Sequence, residues 1–253
     1  MMEIKLYGYA TSPFVRKTAC FLYYKGLAFT HVPVNPLKPE TTLAHTHGTQ
    51  VPVLEIDGEH RRESSDHAHW LDDLFPDKPL CPAANAQRIR AIDGWISDTY
   101  LRGMFRTDGA MDLNFRLRAW RLAALVNAHT PLSSEAQQRW PTLLKTMPFI
   151  VEMAKGIDMS ESQNDMRQRI FAELVGHLGS GPYIGELEQP SMLDLAIFPQ
   201  IIFGYMFGLE ESLSAAQHPS IKQWLQRVAQ HLPANPTLIA EHMQVNALAD
   251  RLS

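Results

Sequence analysis

Cysteine, charge of one sign and long apolar runs are all scarce in this sequence of 253 residues. Its two cysteines, Cys20 and Cys81, lie too far apart to indicate a metal site or a disulfide framework, so we expect two free thiols in a reducing compartment. Lysine and arginine number 23 against 27 acidic residues, which argues against a general nucleic-acid-binding protein, because such proteins are usually basic. No window approaches the roughly 18 uninterrupted apolar residues of a membrane span.

The N-terminus lacks the basic start and apolar core of a secretory signal, so we expect a cytoplasmic protein. An apolar fraction of 45 % and a charged fraction of 20 % are ordinary for a globular chain. The stretch "PDKPLCPAAN" carries three prolines in ten residues and is typical of a linker. We therefore predict a first domain over residues 1–78, a linker over 79–85 and a second, all-helical domain over 86–253.

The first domain is predicted to have the order βαβ-ββα. The run "EIKLYGY" alternates like a strand, a helix is expected from Pro13 to Lys25 with Gly26 after its end, and "AFTHVPV" reads as a second strand. Asp57-Gly58 indicates a hairpin turn between Val53–Ile56 and Glu59–Arg62. A helix over "SSDHAHWLDDLF" follows.

The second domain has helical periodicity almost throughout. One helix is predicted over "QRIRAIDGWISDTYLRGMF" and one continuous helix over "SSEAQQRWPTLLKTMPFIVEMAK". Within the later run "SMLDLAIFPQIIFGYMF", Ser191 and Asp194 have the spacing of a capping box. We interpret that pair as structural.

Ser12 and Pro13 stand at the predicted start of the first helix. Proline suits the first helical position because the N–H there has no helical partner, and serine suits the cap because its oxygen accepts a free backbone N–H. The same position has a functional use, since the positive end of a helix stabilises a thiolate to which a hydroxyl can donate. The residues alone leave both interpretations open.

Two further segments have the chemistry to contact an extended ligand. Val51-Pro52 opens a strand, where proline cannot donate to the ladder. If that bond is cis, the backbone of Val51 can pair with a peptide; an ordinary trans proline is the alternative. The run "ESSD", Glu63 to Asp66, precedes a helix whose free N–H groups can hold a carboxylate, and a capping cluster without a ligand is the alternative.

Four motifs in register resemble the cytosolic glutathione S-transferases, and among them the bacterial members with a serine in the N-terminal motif. They are "TSPFVRK" at 11–17, "VPVLEIDG" at 51–58, "ES" at 63–64 with Trp70-Leu71 downstream, and "PSMLDLAIF" at 190–198. The resemblance implies an α/β plus all-α fold, with a thioredoxin-like N-terminal domain followed by a helical-bundle C-terminal domain. It further implies a homodimer, glutathione as cosubstrate, a small electrophilic or hydrophobic second substrate bound between the domains, no permanently bound cofactor, and a role in detoxification.

Carried over residue by residue, the resemblance assigns Ser12 to the position that activates the glutathione sulfur. Val51 corresponds to the backbone clamp on the cysteinyl residue and Pro52 to the family's cis-proline. Glu63 and Ser64 correspond to the pair that holds the γ-glutamyl end. The other members of the expected glutathione site are Phe14, Lys38 and Gln50.

The second-substrate pocket is expected to be lined by Tyr100, Met104 and Phe105, with a role in the apolar core as the alternative. Five arginines lie in the same region of the sequence, and they form either an ion-paired surface or a positive rim that attracts an anionic cosubstrate. They are Arg102, Arg106, Arg116, Arg118 and Arg121.

Other residues near Ser12 compete for the activating role. They are Thr11, Tyr7 and Tyr9, because some transferases use an N-terminal tyrosine. Cys20 lies two turns inside the predicted helix and is interpreted as a packed residue.

The chain also departs from the family pattern. His67 stands where the family usually has an aliphatic residue, and the loop "AHTHGTQVP" is longer than usual. His45 and His47 share that loop, but no third ligand is evident, so no metal site is predicted.

The sequence supports three classes of function. The first is a transferase whose glutathione thiolate attacks an electrophilic carbon, with conjugation, isomerisation, peroxide reduction and dehalogenation all open. The second is a glutathione or small-acid binding protein, regulatory in role, with little turnover. The third is a thiol–disulfide reductase or a glutathione-lyase of the cysteine-using branch, against which the hydroxyl of Ser12 argues, because serine cannot form a mixed disulfide.

Overall fold

Four strands form one sheet in the computed structural model, which describes residues 2–106, 113–209 and 218–252. The strands are β1 (Ile4–Gly8), β2 (Thr30–Pro33), β3 (Val53–Ile56) and β4 (Glu59–Arg61). Their order is β2-β1-β3-β4, with β1 parallel to β2 and antiparallel to β3. The predicted βαβ-ββα order and the thioredoxin-like first domain are thereby confirmed.

Three helices accompany this sheet. The first, α1 (Pro13–Lys25), crosses from β1 to β2 and ends at Gly26, whose φ of 71° suits glycine. The single turn α2 (Glu40–Leu43) lies in a segment that the sequence indicated only as a polar loop. The third, α3 (Ser64–Leu74), follows the β3–β4 hairpin, which turns at Asp57 and Gly58 as predicted.

The rest of the described chain is helical. After α4 (Ala86–Trp95) the backbone widens into a π-helical turn over Ile96–Leu101, within the segment predicted as one regular helix. The later helices are α5 (Leu113–His129), α6 (Ser134–Thr146), α7 (Pro148–Ala154), α8 (Gln163–Leu178), α9 (Met192–Met206), α10 (Pro219–Ala229) and α11 (Leu248–Leu252).

The prediction of one continuous helix over residues 133–155 is wrong. That segment breaks into α6 and α7 at Met147, which has extended torsion angles of φ −58° and ψ 127°. Pro148 explains the break, because a proline ring excludes the preceding residue from the helical region.

One apolar cluster joins both halves of the chain. It contains Leu6 and Phe21 from the first half together with Ile96, Phe198 and Trp224 from the second. Almost every residue of α9 is buried, and α1 packs along it. The domain bounds of 1–78 and 86–253 stay a prediction, because this shared core marks no boundary.

The capping box at the start of α9 is present as predicted. Oγ of Ser191 accepts from the backbone N–H of Leu193, and the Asp194 carboxylate accepts from the N–H of Ser191. Asp194 is fully buried. No helix in the described ranges is both long and apolar enough to cross a membrane.

A buried histidine connects α1, β4 and α3. His67 has Nε2 2.9 Å from the carbonyl oxygen of Arg61 and Nδ1 3.0 Å from Oγ1 of Thr18. Because a carbonyl only accepts, Nε2 carries the ring proton and Nδ1 accepts from the threonine hydroxyl. Burial lowers the pKa of His67 from 6.5 to about 4, so the ring is neutral at pH 7.

We expect His67 to make the protein less stable in acid. In the unfolded chain the imidazole titrates near pH 6.5, whereas in the folded protein it resists protonation until about pH 4. Its contribution is therefore complete above pH 6.5 and is lost as the pH falls towards 4. One proton taken up on unfolding corresponds to about 1.4 kcal/mol per pH unit.

Urea unfolding across this pH range tests the expectation. The free energy of unfolding of His67→Gln should fall less steeply with acidification than that of the wild type, by about 1.4 kcal/mol per pH unit. His69→Gln is the control, because His69 is exposed on the same helix, and its slope should match the wild type. Equal slopes in all three proteins would contradict the assignment.

Candidate functional site

The segments singled out from the sequence meet at one edge of the sheet. The strand β3 begins where β1 ends, since Val53 pairs with Tyr7, and β4 ends at the same edge, since Arg61 pairs with Leu54. The turn from β1 into α1, the Val51–Pro52 peptide and the start of α3 therefore lie together along that edge.

Ser12 caps α1 at this edge. Its backbone is extended, at φ −78° and ψ 124°, and its Oγ lies 3.4 Å from the backbone nitrogen of Val15. The side chain is buried. Within the part of the chain that the structure describes, the Ser12 hydroxyl accepts this bond but donates to no protein group. The hydroxyl proton thus stays available to an acceptor at the positive end of the helix.

The backbone of Val51 lies at the same edge of the sheet as this cap. The Val51–Pro52 peptide bond is cis, as the resemblance implies. Neither the N–H nor the C=O of Val51 has a hydrogen-bond partner among residues 2–106, 113–209 and 218–252. Gln50, directly before it, is exposed. Lys38 is exposed in the loop after β2, which ends at the same edge because β2 runs parallel to β1.

The N-terminus of α3 has no side-chain cap. Glu63 holds the cap position with an extended backbone, and its carboxylate is exposed and bonds no helix N–H. The first N–H with a helical partner is that of His67, which donates to the Glu63 carbonyl oxygen at 3.0 Å. The amides of Ser64, Ser65 and Asp66 have no acceptor in the described ranges, so this end can receive a carboxylate.

A buried ion pair distinguishes the two serines of α3. Nζ of Lys17 lies 3.1 Å from Oδ1 of Asp93 and 2.9 Å from Oγ of Ser65, which in turn donates to Oδ2 of Asp93 at 2.9 Å. Ser65 is therefore engaged by protein groups. The hydroxyl of Ser64 forms no hydrogen bond with any described residue, so Ser64 is the serine left for a ligand.

Tyr7 and Tyr9 are less suited than Ser12 to activate a thiol. The hydroxyl of Tyr7 donates to Oε2 of Glu55 at 3.1 Å, and its ring packs with Val34 and Val53 in a cluster separate from the α1 side of the sheet. Burial raises the pKa of Tyr9 to about 12. Thr11, half-buried beside Ser12, remains the nearest rival.

A buried arginine lies behind the first turn of α1. Nη1 of Arg16 donates to the Ala10 carbonyl at 2.7 Å, and Nε and Nη2 donate to Oε1 of Gln200 at 3.1 and 2.7 Å. The guanidinium stacks on Phe203, 3.9 Å from the ring centre. Gln200 in turn donates to the Pro13 carbonyl at 2.9 Å.

Every polar partner of Arg16 in the described ranges is neutral. Burial lowers the pKa of Arg16 to about 9, so the group is still charged at pH 7. A buried cation without an acid partner is costly. The Arg16 guanidinium, which has no acidic partner in the described ranges, therefore places positive charge next to residues 10–13.

Three phenylalanines pack over the start of α1. Phe14 stacks on Phe105 at 6.5 Å between ring centres, and Phe149 meets both edge-on at 6.0 and 5.4 Å. Phe149 belongs to α7, so this short helix covers one side of the edge that holds Ser12.

A cavity of about 210 Å³ lies between the π-helical turn, α8 and α9. Tyr100, Met104 and Gln200 are among the residues that line it, and that it is the second-substrate pocket stays a prediction. Phe105 does not line it and instead packs against Phe14.

Sequence reasoning missed Arg16, Gln200 and Phe149. Arg16 stands one helical turn before Ala19 and Cys20, both buried, and a cation at that apolar spacing was a usable signal. Gln200 was the one polar side chain in the run "LAIFPQIIF". Phe149 gave no local signal, because its role depends on how α7 folds back.

A reactive thiol and a metal centre are the two other kinds of site to consider. Cys20 is fully buried and its pKa is raised by burial, as expected of a packed thiol. No group of three or more potential ligands among the described residues is arranged to hold a metal ion.

Comparison with known proteins gives one family match. Residues 6–79 match the glutathione S-transferase N-terminal domain. Comparison with curated proteins gives no match.

Many solved structures share the fold. A glutathione S-transferase from Rhodospirillum rubrum is 18 % identical over 89 % of this chain and 87 % of its own, with a TM-score of 0.57. A maleylacetoacetate isomerase from Anaeromyxobacter dehalogenans has dicarboxyethyl glutathione and citrate bound in its active site. It is 20 % identical over 95 % of both chains, with a TM-score of 0.54.

A glutathione S-transferase from Methylobacterium radiotolerans in complex with glutathione sulfonate is 20 % identical over 91 % of this chain and 95 % of its own, with a TM-score of 0.55. These likenesses extend along nearly the full length, beyond the matched domain. Residues 6–79 thus carry an N-terminal domain of the glutathione S-transferase type, and the chain shares its fold along almost its whole length with solved glutathione S-transferases.

Proposed function

We propose that this protein is a glutathione transferase in which Ser12 activates the glutathione thiolate for attack on a small electrophile. The observation that carries the proposal is the Ser12 hydroxyl, which accepts from Val15 and donates to no described protein group. A thiolate at this position accepts that proton in a hydrogen bond, which favours the ionised form of the sulfur and lowers the pKa of the thiol.

Two further charges favour the thiolate. The N-terminus of α1 carries about half a positive charge from its aligned peptide dipoles. The guanidinium of Arg16 lies behind the same turn, bonded to the carbonyl of Ala10 and to Gln200. Because this guanidinium is buried, water screens its charge poorly, and the field acts on the sulfur beside Ser12.

The groups along the sheet edge suit the rest of the tripeptide. The peptide groups of Val51 pair with the cysteinyl residue as an added strand would. The free amides of α3 and the Ser64 hydroxyl hold the γ-glutamyl carboxylate, and Glu63 takes the amino group. Lys38 and Gln50 approach the glycyl end, and Phe14 packs beside the sulfur.

The reaction needs no metal or prosthetic group. Glutathione loses its thiol proton to solvent, the thiolate forms a carbon–sulfur bond with the electrophile, and the displaced group leaves with its bonding electrons. Binding both reactants side by side supplies proximity, and Ser12 with Arg16 supplies charge stabilisation. Solved relatives of the same fold hold glutathione sulfonate and dicarboxyethyl glutathione, which supports a glutathione derivative at this edge.

The pKa of bound glutathione tests the proposal. We expect ultraviolet absorbance of the thiolate, titrated at saturating glutathione, to show a thiol pKa at least about one unit below that of the free tripeptide. In Ser12→Ala the shift should shrink. Binding with an unshifted thiol pKa would contradict activation and would favour the second function, a binding or regulatory protein.

Assembly and location are part of the proposal. A homodimer in the cytoplasm with a role in detoxification is what the resemblance implies. Sedimentation velocity of the purified chain will measure the assembly, and a monomer would contradict it.

A further inference from the structure

Arg16 and Gln200 together hold two backbone carbonyls, one on each side of Ser12. Nη1 of Arg16 donates to the carbonyl oxygen of Ala10 at 2.7 Å. Nε2 of Gln200 donates to the carbonyl oxygen of Pro13 at 2.9 Å. Ala10 lies two residues before Ser12, and Pro13 follows it directly. This pair of side chains therefore fixes the turn that carries the serine.

The Arg16 side chain lies on the same side of α1 as the cap. Arg16 stands four residues after Ser12, and its backbone N–H donates to the Ser12 carbonyl oxygen at 3.2 Å. Residues four apart share one face of a helix, and helical side chains lean towards the N-terminus. The bond to the Ala10 carbonyl extends the guanidinium back to a residue before the cap. Its charge thus lies alongside the first turn of α1.

The side-chain amide of Gln200 uses all of its hydrogen-bonding capacity within the protein. Oε1 accepts from Nε and Nη2 of Arg16 at 3.1 and 2.7 Å, and Nε2 donates to the carbonyl oxygens of Pro13 and Ala196, each at 2.9 Å. A guanidinium only donates, so the oxygen of the amide must face Arg16. Although Gln200 lines the cavity beside α9, its amide has no donor or acceptor left for a ligand.

The partner of the buried guanidinium is a neutral amide instead of a carboxylate. Glutamate has nearly the shape of glutamine, and arginine and carboxylate form strong paired hydrogen bonds. Two titratable groups among the described residues act on the charge of Arg16, Cys20 and Tyr100. Burial raises the pKa of both, so both are neutral at pH 7. Within the described part of the chain, no carboxylate therefore offsets this guanidinium.

We infer that Gln200 is a positioning residue, a neutral partner that holds the Arg16 guanidinium against the first turn of α1 without cancelling its charge, so that the reacting thiolate is the anion that compensates it. The inference deepens the proposed function and rests on it for the identity of that anion. A residue that merely joined α1 to α9 would serve equally well as a glutamate, and this difference makes the role testable.

A thiol placed at the cap measures the electric field there without glutathione. Ser12→Cys introduces this thiol into the full-length protein. Burial raises the pKa of both native thiols, Cys20 and Cys81, so the introduced thiol titrates first. We expect its pKa, followed by ultraviolet absorbance of the thiolate, to lie at least about one unit below the ordinary value of about 8.5.

Gln200→Glu, added to Ser12→Cys, keeps an acceptor for Arg16 but cancels the charge. The pKa of the introduced thiol should then rise by at least about half a unit, whereas a merely structural role predicts no change. Gln137→Glu is the matched control. Gln137 is half-buried on α6, and its amide also donates two hydrogen bonds, to Oδ1 of Asn127 and to the Leu132 carbonyl oxygen. This control should leave the pKa unchanged.

Gln200→Met distinguishes the loss of the amide bonds from the gain of a negative charge. It removes the bonds and adds no charge, so the introduced thiol should keep its lowered pKa. An unchanged pKa in Gln200→Glu, or an equal rise in Gln200→Met, overturns the inference. If Gln200→Glu fails to fold, Arg16→Met decides in its place, because removal of the guanidinium should raise the pKa by at least about half a unit. No rise there overturns the inference as well.

Titration of glutathione into the wild-type protein separates this inference from the proposed function. If glutathione binds with a lowered thiol pKa while Gln200→Glu leaves the introduced thiol unchanged, the inference is overturned and the transferase proposal stands. If glutathione gives no heat while Gln200→Glu raises the pKa of the introduced thiol, the transferase proposal is overturned. The role of Gln200 as the neutral partner of Arg16 then stands without it.

Discussion

Ser12→Ala is expected to lower kcat/KM for glutathione conjugation at least tenfold, which corresponds to about 1.4 kcal/mol in the barrier. The loss arises because the variant removes the hydroxyl that we propose as the donor to the thiolate at the start of α1. It also removes a helix cap, which costs about 1 kcal/mol of stability. The protein should therefore still fold, and initial rates with a chloronitrobenzene electrophile measure the effect.

A second serine distinguishes the effect of losing a helix cap from the effect of losing the proposed donor to the thiolate. Ser133 caps α6 with the same geometry, its Oγ 3.1 Å from the backbone nitrogen of Ala136. Ser133→Ala should lose a similar amount of stability and keep its activity. Ser12→Thr, which preserves a hydroxyl, should recover part of the rate. Full activity in Ser12→Ala would transfer the role to Thr11.

Asp194→Ala is expected to lower the free energy of unfolding by roughly 3–5 kcal/mol. The buried carboxylate accepts from the N–H of Ile184 at 2.9 Å, from Nε1 of Trp224 at 2.7 Å, and from both the N–H and the hydroxyl of Ser191 at 2.9 and 3.2 Å. Alanine leaves all four donors buried without this acceptor. Urea unfolding at pH 7 measures the loss, because the pKa of Asp194, raised by burial, is about 6 and the group is then mostly ionised.

An exposed Ser–Asp pair at a helix start supplies the comparison. Asp165 holds the same position at the start of α8 and pairs with Ser162 at 2.7 Å, but in solvent. Asp165→Ala should cost no more than about 1 kcal/mol. If both alanine variants lose the same free energy, the interior network around Asp194 adds nothing and the prediction is wrong.

Local patterns predicted the first domain well. These patterns predicted the βαβ-ββα order of elements along the chain, the turn at Asp57-Gly58, the end of α1 at Gly26 and the cap at Ser12. All of these features depend on neighbours within a few residues. Each such feature has a short-range cause, a positive φ or a free N–H, that the sequence displays directly.

Features that depend on residues far apart in the sequence were not predicted. The π-helical turn over Ile96–Leu101 leaves no mark in helical spacing. The pairing of Arg16 with Gln200 spans 184 residues, and only the packing of α1 on α9 brings the two together. Phe149 reaches Phe14 because α6 and α7 fold back at Met147. The sequence therefore predicted more of the residues at the edge that holds Ser12 than of the residues around the cavity next to it.

The same long-range pairing determines how the protein can accommodate bulky molecules. Moving α1 away from α9 would break the bonds of the Arg16 guanidinium to Gln200 and its stacking on Phe203, and buried polar groups that lose their partners cost free energy. We therefore expect the gap between the sheet edge and the helical half to resist widening. We expect electrophiles to be sorted by whether they fit this gap, with oversized molecules rejected rather than admitted by a swing of one half against the other.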